Sequence, residues 1–262
     1  MALNSINKLK TEFDESIKSI QEKSNQMISD IKKQAQTESE QLIKSIKDKA
    51  EEETKKLIEK NNINIQISNL FNSAYQAYNN KDYNSSINYY NKIIEMTDEL
   101  LKGYDENSEE YSKYKNNYSI AYNNRGAAKY NLKQHDEAIK DYNKAIELNP
   151  NYSEAYNNKG NAKYNLKQYD EAIKDFNKAI ELNPNYVQAY FNMVLPKQLL
   201  ANTTENENEK NKLIEEAYND FIEGYKLADD KLKEEYKQKI INLAKDDYEV
   251  AKKICDKMGW KY

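Results

Sequence analysis

The sequence predicts an all-α protein: a solenoid of helical hairpins preceded by a long amphipathic helix. Three observations carry that expectation. Residues 119–152, SIAYNNRGAAKYNLKQHDEAIKDYNKAIELNPNY, and residues 153–186, SEAYNNKGNAKYNLKQYDEAIKDFNKAIELNPNY, differ at only five positions: Ile120/Glu154, Arg125/Lys159, Ala127/Asn161, His135/Tyr169 and Tyr142/Phe176. Self-similarity of this length marks stacked units that each bury an apolar face against the next. The 262 residues include only 5 Gly and 3 Pro, so little interrupts long helices. Hydrophobic residues make up 38% and charged residues 32%, which is thin for a compact core of this length but enough for an elongated array. Tyrosine, at 23 residues, supplies much of the apolar surface.

The formal net charge of -4 gives no reason to expect nucleic acid or an anionic membrane as partner. Cys255 stands alone, so no disulfide can form within the chain, and a reducing, cytoplasmic setting is expected. The opening MALNSINKLK is too polar for a secretory segment, and no apolar run reaches membrane-spanning length.

Residues 1–62 read as one long helix. Apolar residues recur at Ile6, Leu9, Phe13, Ile17, Ile20, Met27, Ile31, Ala35, Leu42, Ile46, Ala50 and Leu57, mostly three or four apart, with no Pro or Gly between them. That is the narrow seam of a coiled coil. Ser24, Glu38 and Glu53 interrupt it, and the step from Met27 through Ile31 to Ala35 shifts phase as a stutter does. So thin a stripe does not stabilise a helix alone. It is expected to pair with a second copy, pair with a partner, or fold back on the repeats.

The repeats follow, over residues 63–229. Each near copy carries an aromatic, a glycine four residues later, then Asp-Glu-Ala-Ile, a second aromatic, a second alanine and a closing Asn-Pro. These residues resemble the tetratricopeptide repeat (TPR) family, and the resemblance implies a pair of antiparallel helices per unit. A first, degenerate unit fits residues 67–100, with Leu70, Ala74, Tyr83, Ser86, Ile87, Tyr90 and Ile93 at the matching positions. Its second helix is expected to run on to a stop near Gly103, and the Tyr-rich insert 104–118 to lengthen its neighbours. A fourth unit spans residues 187–229, with Pro196 expected to kink or end its first helix near Leu195. Residues 202–212 are expected to form a polar loop, and residues 230–262 a helical cap.

The resemblance also implies where a partner binds. In TPR proteins the first helix of each unit lines a groove, and its sixth position here is Asn72, Asn124, Asn158 and Asn192. Asn123 and Asn157 precede two of these, Asn161 lies further along, and Tyr130 and Tyr164 complete the candidate face. An amide offers both donor and acceptor to an extended peptide backbone, and tyrosine adds rigid amphipathic surface. The pattern looks like the asparagine ladders with which some TPR superhelices hold peptide main chain. The alternative is that these asparagines bond the neighbouring helix. On the peptide reading, Asn124→Ala with Asn158→Ala weakens capture without changing the melting temperature. The carboxylate clamp of chaperone-binding TPRs is absent, since its positions hold Phe71, Tyr75, Asn124, Glu154 and Asn158, of which only Asn124 matches.

Arg125 and Lys129, and Lys159 and Lys163, stand where TPRs commonly carry Leu and an aromatic. Ion pairs Arg125–Asp141 and Lys159–Asp175 between helices are expected to set register with little net stabilisation. The other reading is a basic strip for an acidic partner. No catalytic constellation, phosphate loop or metal-ligand spacing is present in the sequence. His135 reads as a packing substitute for tyrosine, and Cys255 as a structural thiol. The expectation is a non-enzymatic scaffold without cofactor or metal, binding a protein or extended peptide in its groove, with possible self-association through residues 1–62. The alternative is a structural homo-oligomer in which the coiled coil works and the repeats are a spacer. Any turnover would have to come from a bound enzyme.

Overall fold

With so few breakers, the chain ends its helices by other means. At four of the inter-helix turns the residue past the helix end is left-handed yet is not glycine: Lys81, Lys133, Lys167 and Asp247, with φ of 61°, 63°, 62° and 69°. Each turn closes with two backbone bonds, as in Gln134 N to Lys129 O at 3.0 Å and Lys133 N to Tyr130 O at 2.9 Å. That reciprocal pair satisfies carbonyls that the last helical turn leaves open. The next helix then starts at once.

The computed structural model describes residues 2–262, among which there are ten helices and no strand. They are α1 (Ala2–Asn79), α2 (Tyr83–Leu101), α3 (Glu109–Asn131), α4 (His135–Leu148) and α5 (Ser153–Asn165), then α6 (Tyr169–Leu182), α7 (Val187–Ala201), α8 (Glu207–Leu227), α9 (Asp230–Lys245) and α10 (Glu249–Met258). The chain divides into two units, residues 1–65 and residues 66–262.

In the first unit, the described residues are a single stretch of α1. Side-chain pairs four apart support it, including Gln26–Asp30, Gln34–Glu38 and Lys56–Glu52. Its apolar seam is exposed, from Leu3, Ile6 and Phe13 through Ile31 to Ile46 and Leu57. The boundary expected at residue 62 is not a helix end. No Gly or Pro lies between residues 62 and 79, and α1 runs on to supply the first helix of the first repeat.

In the second unit, helices pair as hairpins: the end of α1 with α2, α3 with α4, α5 with α6, and α7 with α8. α9 and α10 follow. Small residues at 0% exposure, Ser86, Ala138, Ala172 and Ala217, sit at equivalent places in the four units, each four before the aromatics Tyr90, Tyr142, Phe176 and Phe221. Small residues let the paired helices close while the ring fills the gap. Gly126 shows how tight this is: a methyl group there would lie 2.7 Å from Tyr142 Cε1, and at Gly160 2.7 Å from Phe176 Cε1.

Two expectations need correction. Of the kink or end expected at Pro196, the end does not occur: α7 continues through Pro196 to Ala201. Pro196 is buried along with Lys197, Gln198 and Ala201, so packing of this last turn outweighs the bond that proline removes. The polar loop is also shorter than residues 202–212. Asn206 caps α8, its Oδ1 accepting from Asn208 N at 3.0 Å and Glu209 N at 3.3 Å. The cap shares one core with the fourth hairpin: Phe221 and Phe191 join Ile240, Val250 and Ile254, and Trp260 closes edge-on over Phe221.

Candidate interaction groove

The face built by α1, α3, α5 and α7 is tied together by two rows of amide bonds, and both follow from repetition. When near-identical helices stack, a side chain of one faces the same set on the next. In the first row Asn158 Nδ2 donates to Asn123 Oδ1 at 3.1 Å, and Asn192 Nδ2 to Asn157 Oδ1 at 2.9 Å. In the second, Asn131 Nδ2 donates to the Tyr78 hydroxyl at 2.9 Å and Asn165 Nδ2 to the Tyr130 hydroxyl at 2.7 Å.

These bonds sort the expected groove residues. Asn123 and Asn157 are buried and serve the joints between units, Asn123 also donating to Asn124 Oδ1, the Tyr152 hydroxyl and Glu154 Oε1. They are not groove surface, because the position before the ladder turns toward the next unit's first helix. Asn124, Asn158 and Asn192 are half-buried, and Asn72 is exposed. Asn124 bonds the Tyr90 hydroxyl. The Oδ1 atoms of Asn158 and Asn192 accept nothing from another described residue. Burial raises the Tyr90, Tyr78 and Tyr164 hydroxyls above the usual range, so all three stay protonated.

Behind this face, one buried carboxylate holds two cations in each clean unit. Arg125 Nη2 lies 2.6 Å from Asp141 Oδ1 and Lys129 Nζ 2.7 Å from Oδ2, and Arg125 Nη1 also donates to Asn91 at 2.8 Å. Lys159 and Lys163 grip Asp175 at 2.8 and 2.7 Å. The basic side chains therefore point at the second helices and form no strip for an acidic partner. In the fourth unit the charges are reversed, one buried cation meeting two carboxylates: Lys197 Nζ lies 2.6 Å from Asp220 Oδ2 and 3.5 Å from Glu216 Oε2. Sequence reasoning missed it because the insert before α8 hides the register. Lys197 stands where Lys129 and Lys163 stand, and Asp220 precedes Phe221 as Asp141 precedes Tyr142.

Two cavities open on the same face. One, of about 260 Å³, lies at α1, α2, α3 and α5 and is walled by Tyr75, Tyr78, Tyr90, Asn124, Ala127 and Glu154. The other, of about 210 Å³, lies at α5, α7 and α9, with Asn161, Tyr164 and Asn192 beside Phe191, Tyr236 and Ile240. Pro196 lacks an N–H, so the Asn192 carbonyl four residues back has no helical donor. Glu154 and Tyr75 stand outside the expected ladder face, and the α9 residues were not foreseen. Two signals in the sequence pointed to the cavity walls: Tyr75 and Glu154 stand at positions where the clamp of chaperone-binding TPRs meets its ligand, and Glu154 and Asn161 mark two of the five differences between the near copies.

Among the described residues no group of three or more His, Cys, Asp or Glu could hold a metal ion. No helix there is long and apolar enough to cross a membrane.

The class is thus a helical-hairpin solenoid whose first helices share an amide-lined face. Residues 119–152 and 153–186 each match the tetratricopeptide repeat family. Among solved structures, the first TPR of Spaghetti (RPAP3) bound to an HSP90 peptide is 26% identical, covering 52% of this chain and 94% of that chain, with a TM-score of 0.42. The Arabidopsis OM64 TPR domain is 25% identical over 50% of this chain and 93% of that one, with a TM-score of 0.40. The MamA protein is 20% identical over 62% and 91%, with a TM-score of 0.36. Comparison with the curated proteins returns no match.

Proposed function

We propose that residues 66–262 capture an extended segment of another protein along the face of α1, α3, α5 and α7, without catalysis of their own. The observation that carries this is the half-spent ladder: Asn158 and Asn192 each use one N–H on the neighbouring unit and keep Oδ1 open. Open acceptors at a regular spacing suit the N–H groups of an extended backbone, and the two flanking cavities suit its side chains. The single, buried Cys255 fits a reducing setting such as the cytoplasm.

The test is capture of degenerate, capped nonapeptide pools by the full chain. Asn124→Ala with Asn158→Ala should cut capture by about fivefold, as loss of the one open acceptor of the pair, Asn158 Oδ1, at roughly 1 kcal/mol implies. The same variant should also melt earlier, since Asn158 bonds Asn123; this revises the expectation of an unchanged melting temperature. Circular dichroism at the assay temperature separates the two effects. Undiminished capture by a folded double variant would reject the ladder.

The exposed seam of residues 2–65 supports a second role, pairing with another copy of this chain through a coiled coil. Sedimentation of the full chain should give a multiple of the chain mass, and Ile17→Asp with Ile20→Asp should reduce it to one.

A further inference from the structure

We infer that the cavity at α1, α2, α3 and α5 is a subsite for a cationic side chain, lysine or arginine, of the captured segment. The inference rests on the peptide reading above and adds the charge of the ligand. Its basis is Glu154. Among the described residues this carboxylate makes no ion pair; its one polar contact is Asn123 Nδ2 at 3.2 Å. It stands in the wall of a cavity of about 260 Å³ whose other walls include the rings of Tyr75, Tyr78 and Tyr90. A carboxylate without a counter-ion in a cavity lined by tyrosines is chemistry suited to an ammonium or guanidinium group, which the charge attracts and the rings can flank.

The neighbouring phenols support this assignment. The charge on Glu154 reaches Tyr78, Tyr142, Tyr152 and Tyr186, whose hydroxyls burial has already raised, that of Tyr186 to about 12. They remain neutral around the carboxylate and add no second charge of either sign. Arg125, Lys129, Lys159 and Lys163 are already engaged on the other side by Asp141 and Asp175. The near copy has Ile120 where Glu154 stands, so the carboxylate is particular to this one joint and is not required by the repeat.

The probe is a set of capped nonapeptide pools with the central residue fixed as Lys, Arg, Glu or Leu and the flanks degenerate, titrated against the full chain. The wild type should favour Lys and Arg pools over Leu and Glu pools by about fivefold, the scale of a cation–π contact beside an exposed carboxylate. Glu154→Gln keeps an oxygen for Asn123 and removes only the charge, so it should bring Lys- and Arg-pool capture down to the level of the Leu pool measured on the same variant. Glu154→Lys should turn the preference toward Glu pools. Capture of all pools without a basic preference, or a preference that survives Glu154→Gln, overturns the subsite and leaves the groove standing. No capture of any pool overturns both.

Discussion

At the scale of single residues, the clearest strain lies in the hairpin turns. Lys133 and Lys167 hold left-handed backbone that glycine adopts without steric cost. Lys133→Gly and Lys167→Gly should each stabilise the chain by about 0.5–1 kcal/mol in urea unfolding, the difference between relieved strain and glycine's greater freedom when unfolded. No change, or a loss, would show that the lysines are not strained. His135 offers a different handle. Its Nδ1 is buried without a hydrogen-bond partner, and burial, with help from Lys133, lowers its affinity for a proton below that of a free histidine. The unfolded chain therefore takes up the proton first as pH falls through 6.5, the ordinary value, and stability drops there. His135→Tyr, which copies Tyr169, should flatten the melting temperature between pH 7.5 and pH 5.5 relative to wild type; parallel curves would contradict this.

At the scale of helices, two opposed effects meet at Gly126 and Gly160. Alanine in place of glycine gains about 1 kcal/mol of helix propensity, yet overpacking costs about 1–3 kcal/mol. With Tyr142 and Phe176 at 2.7 Å from the added methyl, overpacking should win, and both variants should melt earlier. Asp175→Asn leaves Lys159 and Lys163 facing each other in a half-buried place and should cost roughly 2–4 kcal/mol. These joints also show what the sequence made legible. Alanine, glycine and aromatic spacing in the near copies gave the hairpins, and Arg125 with Asp141 could be paired on paper because the duplication displayed both partners. Lys197 with Asp220 could not, since an insert separated them. The ends of α7 and α8 were misjudged for a related reason. A proline and a polar run are local signals, and the packing of Ala201 and the Asn206 cap decided against them.

At the scale of the molecule, the ladder asparagines show the limit of reading a face from one unit. The alternation of Asn123 with Asn124 is plain in the sequence, but which amide joins the stack and which keeps a free oxygen depends on the neighbouring helix. Glu154 stands at a groove position in the sequence, but its place in a cavity wall shows only with Tyr75 and Tyr78 of α1 beside it. The central claim, that the first-helix face does the binding, is tested most directly by a photo-reactive side chain placed at one of two exposed or half-exposed positions in the full chain. Position 158 lies in the ladder and position 143 on the second helix α4. Under irradiation with the Lys-centred nonapeptide pool, position 158 should cross-link to peptide and position 143 should not. Cross-linking at 143 to the same extent, or at 143 alone, would contradict the account.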